Sequence, residues 1–138
     1  MLLPDAEPLL DAVRRVAPVR PLPAHVSLLY PGPPVFEDVA LPGEVDLAEI
    51  IVGDGGFVGV AVPALEPAAA TLRSRYPELV PYGGRFGETP PAHLTLVMGV
   101  DDAVSQAVQR IAAEALPLRS RVDGPHFVQR TGHGWRPA

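Results

Sequence analysis

The chain contains no cysteine, no lysine and no asparagine. Without cysteine there is no thiol nucleophile, no disulfide, no iron–sulfur cluster and no Cys-ligated zinc. Without lysine there is no Schiff base, no pyridoxal-phosphate attachment and no P-loop lysine. All eleven basic residues are arginine, which fits an Ala/Pro/Gly-rich chain from a G- and C-biased genome. Long apolar runs are also missing. The opening MLLPDAEPLLDAVRRV carries an acid at position 5 and reads as neither a signal peptide nor a membrane span. The expected location is the cytoplasm, with no membrane partner.

The 138 residues are 47 % hydrophobic and 20 % charged, the composition of one globular domain with a single core. Eighteen prolines and thirteen glycines predict short elements joined by many turns. The net charge is −5. It is uneven: residues 1–70 hold three Arg against ten acids, and residues 71–138 hold eight Arg against six acids. A long nucleic-acid footprint needs a basic face, which this balance argues against. A small anionic substrate near the second half is compatible with it.

Hydrophobic spacing predicts an amphipathic helix over 5–16, with Asp5 as N-cap, Pro8 in the first turn, and Leu9, Leu10, Val13 and Val16 on one face. Residues 24–30 read as a strand. VDLAEIIV (45–52) and FVGVAV (57–62) read as strands joined by an Asp54-Gly55-Gly56 turn. Pro67 opens a second helix reaching Tyr76, and 92–100 is a strand. Asp101 or Asp102 caps a third helix with Val104, Ala107, Val108, Ile111 and Leu116 on its stripe. Short strands over 118–123 and 125–130 follow, with Trp135 beyond them. This order argues an α+β fold with mostly antiparallel pairing.

The strongest signal is an internal repeat. PAHVSLL (23–29) recurs as PAHLTLV (91–97), with Pro, Ala, His and one Leu identical and three conservative exchanges. Two copies half a chain apart predict a two-lobed, pseudo-symmetric domain. Strand side chains alternate faces. His25 and Ser27 therefore share one face, with Val26 and Leu28 behind them. His93 and Thr95 repeat the arrangement, with Leu94 and Leu96 behind.

Two imidazoles on opposite sides of a substrate can serve as general base and general acid near neutral pH. Two hydroxyls beside them can donate hydrogen bonds to the non-bridging oxygens of a phosphoryl group. In-line displacement at phosphorus needs this set and no metal or other cofactor. Which histidine is the base is left open by the near-symmetry.

The paired His-x-Ser/Thr motifs resemble those of the two-histidine (2H) phosphoesterase superfamily, most of all its 2′-5′ RNA ligase-like branch. HVSLLYPG (25–32), PYGGRF (81–86), PAHLTL (91–96) and a closing strand leading to Trp135 carry the resemblance. It implies one domain over 1–138, with lobes of roughly 1–62 and 63–138, helices outside and antiparallel sheets lining a central cleft. It implies hydrolysis of 2′,3′-cyclic phosphates, related nucleotide or RNA-end phosphodiesters, or 2′-5′ linkage chemistry. By motif match, His25 and His93 are the acid–base pair, and Ser27 and Thr95 hold the phosphate. The partner is then a small phosphodiester or an RNA terminus; the oligomeric state is left open. A module that binds such a terminus without turnover is the alternative.

Other residues carry weaker expectations. Tyr82 and Arg85, on the Gly-rich loop before the second motif, are candidate substrate contacts. Tyr30 is expected in the core. His126 and His133 lack metal-ligand spacing. Arg14 and Arg15 read as a solvated helix face, and Trp135 as a packing residue.

Overall fold

The computed structural model describes residues 1–19, 22–29, 39–79, 91–126, 128–131 and 134–137. Tyr30, Tyr82, Arg85 and His133 lie outside these residues, together with the expectations attached to them. The described elements run α1 (Glu7–Arg14), β1 (Glu44–Leu47), β2 (Ile50–Gly53), β3 (Phe57–Ala61), α2 (Glu66–Arg75), β4 (His93–Val97), α3 (Asp102–Ala115), β5 (Leu118–Arg121), β6 (Val128–Thr131) and β7 (Gly134–Pro137). All strand pairing among them is antiparallel, so the fold is α+β. No described helix is long and apolar enough to cross a membrane.

Strands β2, β3 and β4 form one sheet in that order, β1 pairs with β5, and β6 pairs with β7. Single bridges connect the first two groups. Leu2 bridges both Asp123 and His25, and Val26 bridges Leu94. The Val122 N–H donates to the Gly43 carbonyl at 2.9 Å and extends the β1–β5 pairing. Bonded backbone therefore runs from β1 through β5, Leu2, residues 25–26, β4 and β3 to β2.

Four elements differ from expectation. Of the expected strand 24–30, the described residues 24–29 form no continuous strand: Pro23 before them has no N–H to give a ladder, and among them only His25 and Val26 make bridges. The run 45–52 splits in two. Its first half pairs with β5, and its second half pairs with β3 through the hairpin at Asp54-Gly55-Gly56. Asp5 does not cap α1. It lies in a 3₁₀ turn, Pro4–Ala6, and its carboxylate accepts from the Arg121 backbone N–H at 2.8 Å and from the Arg121 guanidinium. That interaction holds β5 against the first turn, and Arg121 draws the Asp5 carboxyl below its usual value. Because α1 ends at Arg14, Val16 falls past its stripe and is 44 % exposed. The expected cap of α3 is present: Asp101 accepts from the Val104 N–H at 2.9 Å.

The main core joins Leu3, Leu9, Leu10 and Val13 around α1 to Val26, Val58, Val60, Leu94, Leu96, Val108 and Ala112. A smaller cluster of Val39, Ala68 and Leu72 packs beneath α2, with Leu28, Leu29 and Leu41 against it.

The β2–β3 turn requires glycine at one position more than the other. Gly55 and Gly56 both have positive φ, 74° and 70°. At Gly56 an added Cβ would lie 2.1 Å from the Val100 carbonyl oxygen. Gly99 also has positive φ, 73°, but nothing lies within 4 Å of its Cβ position. Gly99→Ala is expected to cost about 1 kcal/mol, the left-handed penalty alone. Gly56→Ala is expected to cost ~3 kcal/mol or more, because backbone must also move. Urea midpoints measure both, and equal losses would mean that the approach of Val100 is not what demands glycine.

Candidate active site

The site is built from two short segments that begin with the same three residues. In each Pro-Ala-His segment the imidazole turns back onto the proline carbonyl. His25 Nδ1 lies 2.8 Å from Pro23 O, and His93 Nδ1 lies 2.7 Å from Pro91 O. A carbonyl only accepts, so Nδ1 carries the hydrogen in both rings. Nε2 is then the nitrogen that carries the lone pair in the neutral ring.

The Val26–Leu94 bridge brings the segments together antiparallel. Both side chains are buried, at 0 % and 1 % exposure. Alternation along β4 puts His93 and Thr95 on the face opposite Leu94, and His25 lies next to Val26 at the bridge. His25, Ser27, His93 and Thr95 are all half-buried.

His25 has its pKa lowered from 6.5. Burial is the main cause; the Met1 ammonium and His93 push the same way, and the Pro23 carbonyl and Glu7 oppose them. His93 is steadied by an aromatic edge. The Phe57 ring stands at 85° to the imidazole with centroids 5.4 Å apart. Phe57 reaches that ring along β3 because Gly59 leaves room. A Cβ at Gly59 would lie 2.8 Å from both the Phe57 ring tip and the Leu94 carbonyl oxygen. Phe57 and Gly59 lie beside the candidate site and were not singled out from the sequence, since nothing in FVGVAV separates them from ordinary strand residues.

A second repeat, also missed, supports both histidines. Leu3-Pro4-Asp5-Ala6-Glu7-Pro8 recurs as Val62-Pro63-Ala64-Leu65-Glu66-Pro67. Each Pro-x-x-Glu-Pro run makes a 3₁₀ turn leading into a helix, α1 or α2. Glu7 Oε1 accepts from the Ala24 N–H at 2.5 Å, and Glu66 Oε1 accepts from the Ala92 N–H. The Leu3 and Val62 N–H groups donate to the carbonyls of Ala24 and Ala92, both at 2.9 Å. Leu2 pairs with His25 as Ala61 pairs with His93. Arg14 lies 3.8 Å from Glu7, and Arg73 lies 3.4 Å from Glu66. Arg14 is therefore not on a solvated face: it also bonds Asp11 and the Leu22 carbonyl. The Pro-x-x-Glu-Pro spacing was the available signal, hidden because its copies are 59 residues apart and the histidine copies 68.

His126 pairs with Asp123 at 3.3 Å, and no group of three His, Asp or Glu suited to a metal occurs among the described residues. A groove of about 390 Å³ lined by Ile50, Gln106, Gln109, Arg110 and Ala113 contains none of the candidate residues. Comparison of the chain with protein-family models, curated proteins and solved structures finds no match.

The lowered pKa of His25 links protonation to folding. As pH falls, the unfolded chain binds this proton first, so stability rises with pH. The contribution is whole above pH 6.5 and is lost as pH drops from there through the folded-state value. An NMR titration is expected to place the His25 midpoint below 6.5. Urea unfolding at pH 7.5 and pH 5 is expected to show a smaller loss for His25→Gln than for the wild type. A midpoint at or above 6.5 would remove this linkage.

Proposed function

We propose that the chain is a metal-independent phosphodiesterase of the 2H type, acting in the cytoplasm on a small 2′,3′-cyclic phosphate or a related nucleotide or RNA-end diester. The observation that supports this reading is that the two Pro-Ala-His segments meet at the Val26–Leu94 bridge, with both rings held through Nδ1. In this reading the two copies are the lobes of a pseudo-twofold domain, and the two motifs line a central cleft.

Neutral His25 accepts a proton from water at Nε2, and the oxygen attacks phosphorus. The ester oxygen opposite leaves and receives a proton from Nε2 of the His93 imidazolium, which returns to the neutral Nδ1–H ring. Ser27 and Thr95 donate hydrogen bonds to the non-bridging oxygens as charge develops there. Water adds across one P–O bond, giving a phosphomonoester and a free hydroxyl. Burial favours the neutral form of His25, which suits it to the base role. Tyr82 and Arg85 are assigned to the substrate on their place in the Gly-rich loop before the second motif alone.

The test is turnover of 2′,3′-cyclic nucleotides in the presence of EDTA. Wild type is expected to be active, with an acidic limb in kcat/KM below pH 6.5. His25→Ala and His93→Ala are each expected to lose roughly 10²–10⁴-fold. Ser27→Ala and Thr95→Ala should lose less. Activity abolished by the chelator, or unchanged in both histidine variants, would overturn the reading. Binding without turnover would replace it with a module that holds an RNA terminus.

A further inference from the structure

The bonds around each histidine form a line. The Pro23–Ala24 peptide group accepts the His25 Nδ1–H on its carbonyl and donates its N–H to Glu7. The Pro91–Ala92 peptide group does the same between His93 and Glu66. In a trans peptide the N–H and C=O point in opposite directions, so carboxylate, peptide and imidazole lie in sequence. Negative charge at the N–H end draws the nitrogen lone pair into the carbonyl and makes its oxygen a stronger acceptor. We propose that Glu7 and Glu66 are the positioning residues of the two imidazoles, each holding its ring in the Nδ1–H tautomer through one intervening peptide group.

Three features carry this. The arrangement occurs twice, on two different helices, with the same atoms in the same roles. Each glutamate sits in the first turn of its helix behind a proline-led 3₁₀ turn, which aims it at the segment before the histidine. Each has a helical arginine beside it, Arg14 for Glu7 and Arg73 for Glu66, which orients the carboxylate. A carboxylate bonded directly to Nδ1 would do the same work, as in a Ser-His-Asp triad. Here a peptide group stands between, so neither glutamate reaches the substrate face.

The charged groups acting on the first line are Arg14, with Asp11 beyond it, the Met1 ammonium and His93. Arg73 acts on the second. Glutamine keeps the accepting oxygen and deletes the charge, so Glu7→Gln and Glu66→Gln isolate the relay from simple packing.

The catalytic consequence rests on the phosphodiesterase reading; the tautomer does not. Long-range ¹H–¹⁵N NMR of the imidazoles in the full chain at pH 7.5 reads the tautomer directly. Wild type is expected to show Nδ1–H on both His25 and His93. Glu7→Gln is expected to move His25 toward the Nε2–H form and leave His93 unchanged; Glu66→Gln is expected to do the reverse. If the protein turns over a cyclic phosphate, each variant should lose roughly 10–100-fold in kcat with little change in KM. Unchanged tautomers in both folded variants would overturn the proposal. So would Nε2–H as the main form of either ring in wild type, a measurement that needs no variant to fold. The expected tautomer shifts without turnover by wild type would sustain the relay and remove the phosphodiesterase reading.

Discussion

Val26 and Leu94 pair across the middle of the bonded backbone, and both side chains are buried in the core beneath it. On one side of this bridge lie Leu2, β5 and β1; on the other lie β4, β3 and β2. The bridge is the link between the two groups of strands, and its apolar side chains fix which face each segment shows to the core. Once Leu94 points inward, alternation along β4 puts His93 and Thr95 on the other face. The packing of the interior thus also places these two side chains. A shift of one residue in β4 would bury both and expose Leu94 and Leu96.

The peptide groups beside the bridge serve two purposes. Pro23–Ala24 and Pro91–Ala92 tie the segments to the start of α1 and α2 through Glu7 and Glu66, and they also hold the imidazoles. Proline suits the position because its carbonyl is needed and its N–H is not. Alanine suits the next one because each is buried, at 1 % and 5 % exposure, where a larger side chain would not fit without displacing core atoms. The small repeated motif is therefore set by local hydrogen bonding as much as by chemistry.

Much of the fold was legible because it depends on local rules. The α3 helix could be read from its stripe and from Asp101, whose carboxylate reaches only three residues ahead. The β2–β3 hairpin could be read from two glycines that tolerate positive φ. The errors came where a partner distant in sequence decided the outcome. Asp5 has the character of a cap but is taken by Arg121, 116 residues away. The run 45–52 looks continuous, yet its halves pair with strands on opposite sides of the bridge.

The sequence by itself determined the α+β class and the shared side of His93 with Thr95, since alternation along a strand needs no tertiary information. Only the tertiary structure decided that the two Pro-Ala-His segments meet, at the Val26–Leu94 bridge. It alone decided that Glu7 and Glu66 stand behind the histidines and that Phe57 meets His93 over Gly59. The physical reason is that those contacts are made by strand register and helix placement. Both are set by how buried side chains pack together, and neither is written in the spacing of any single segment.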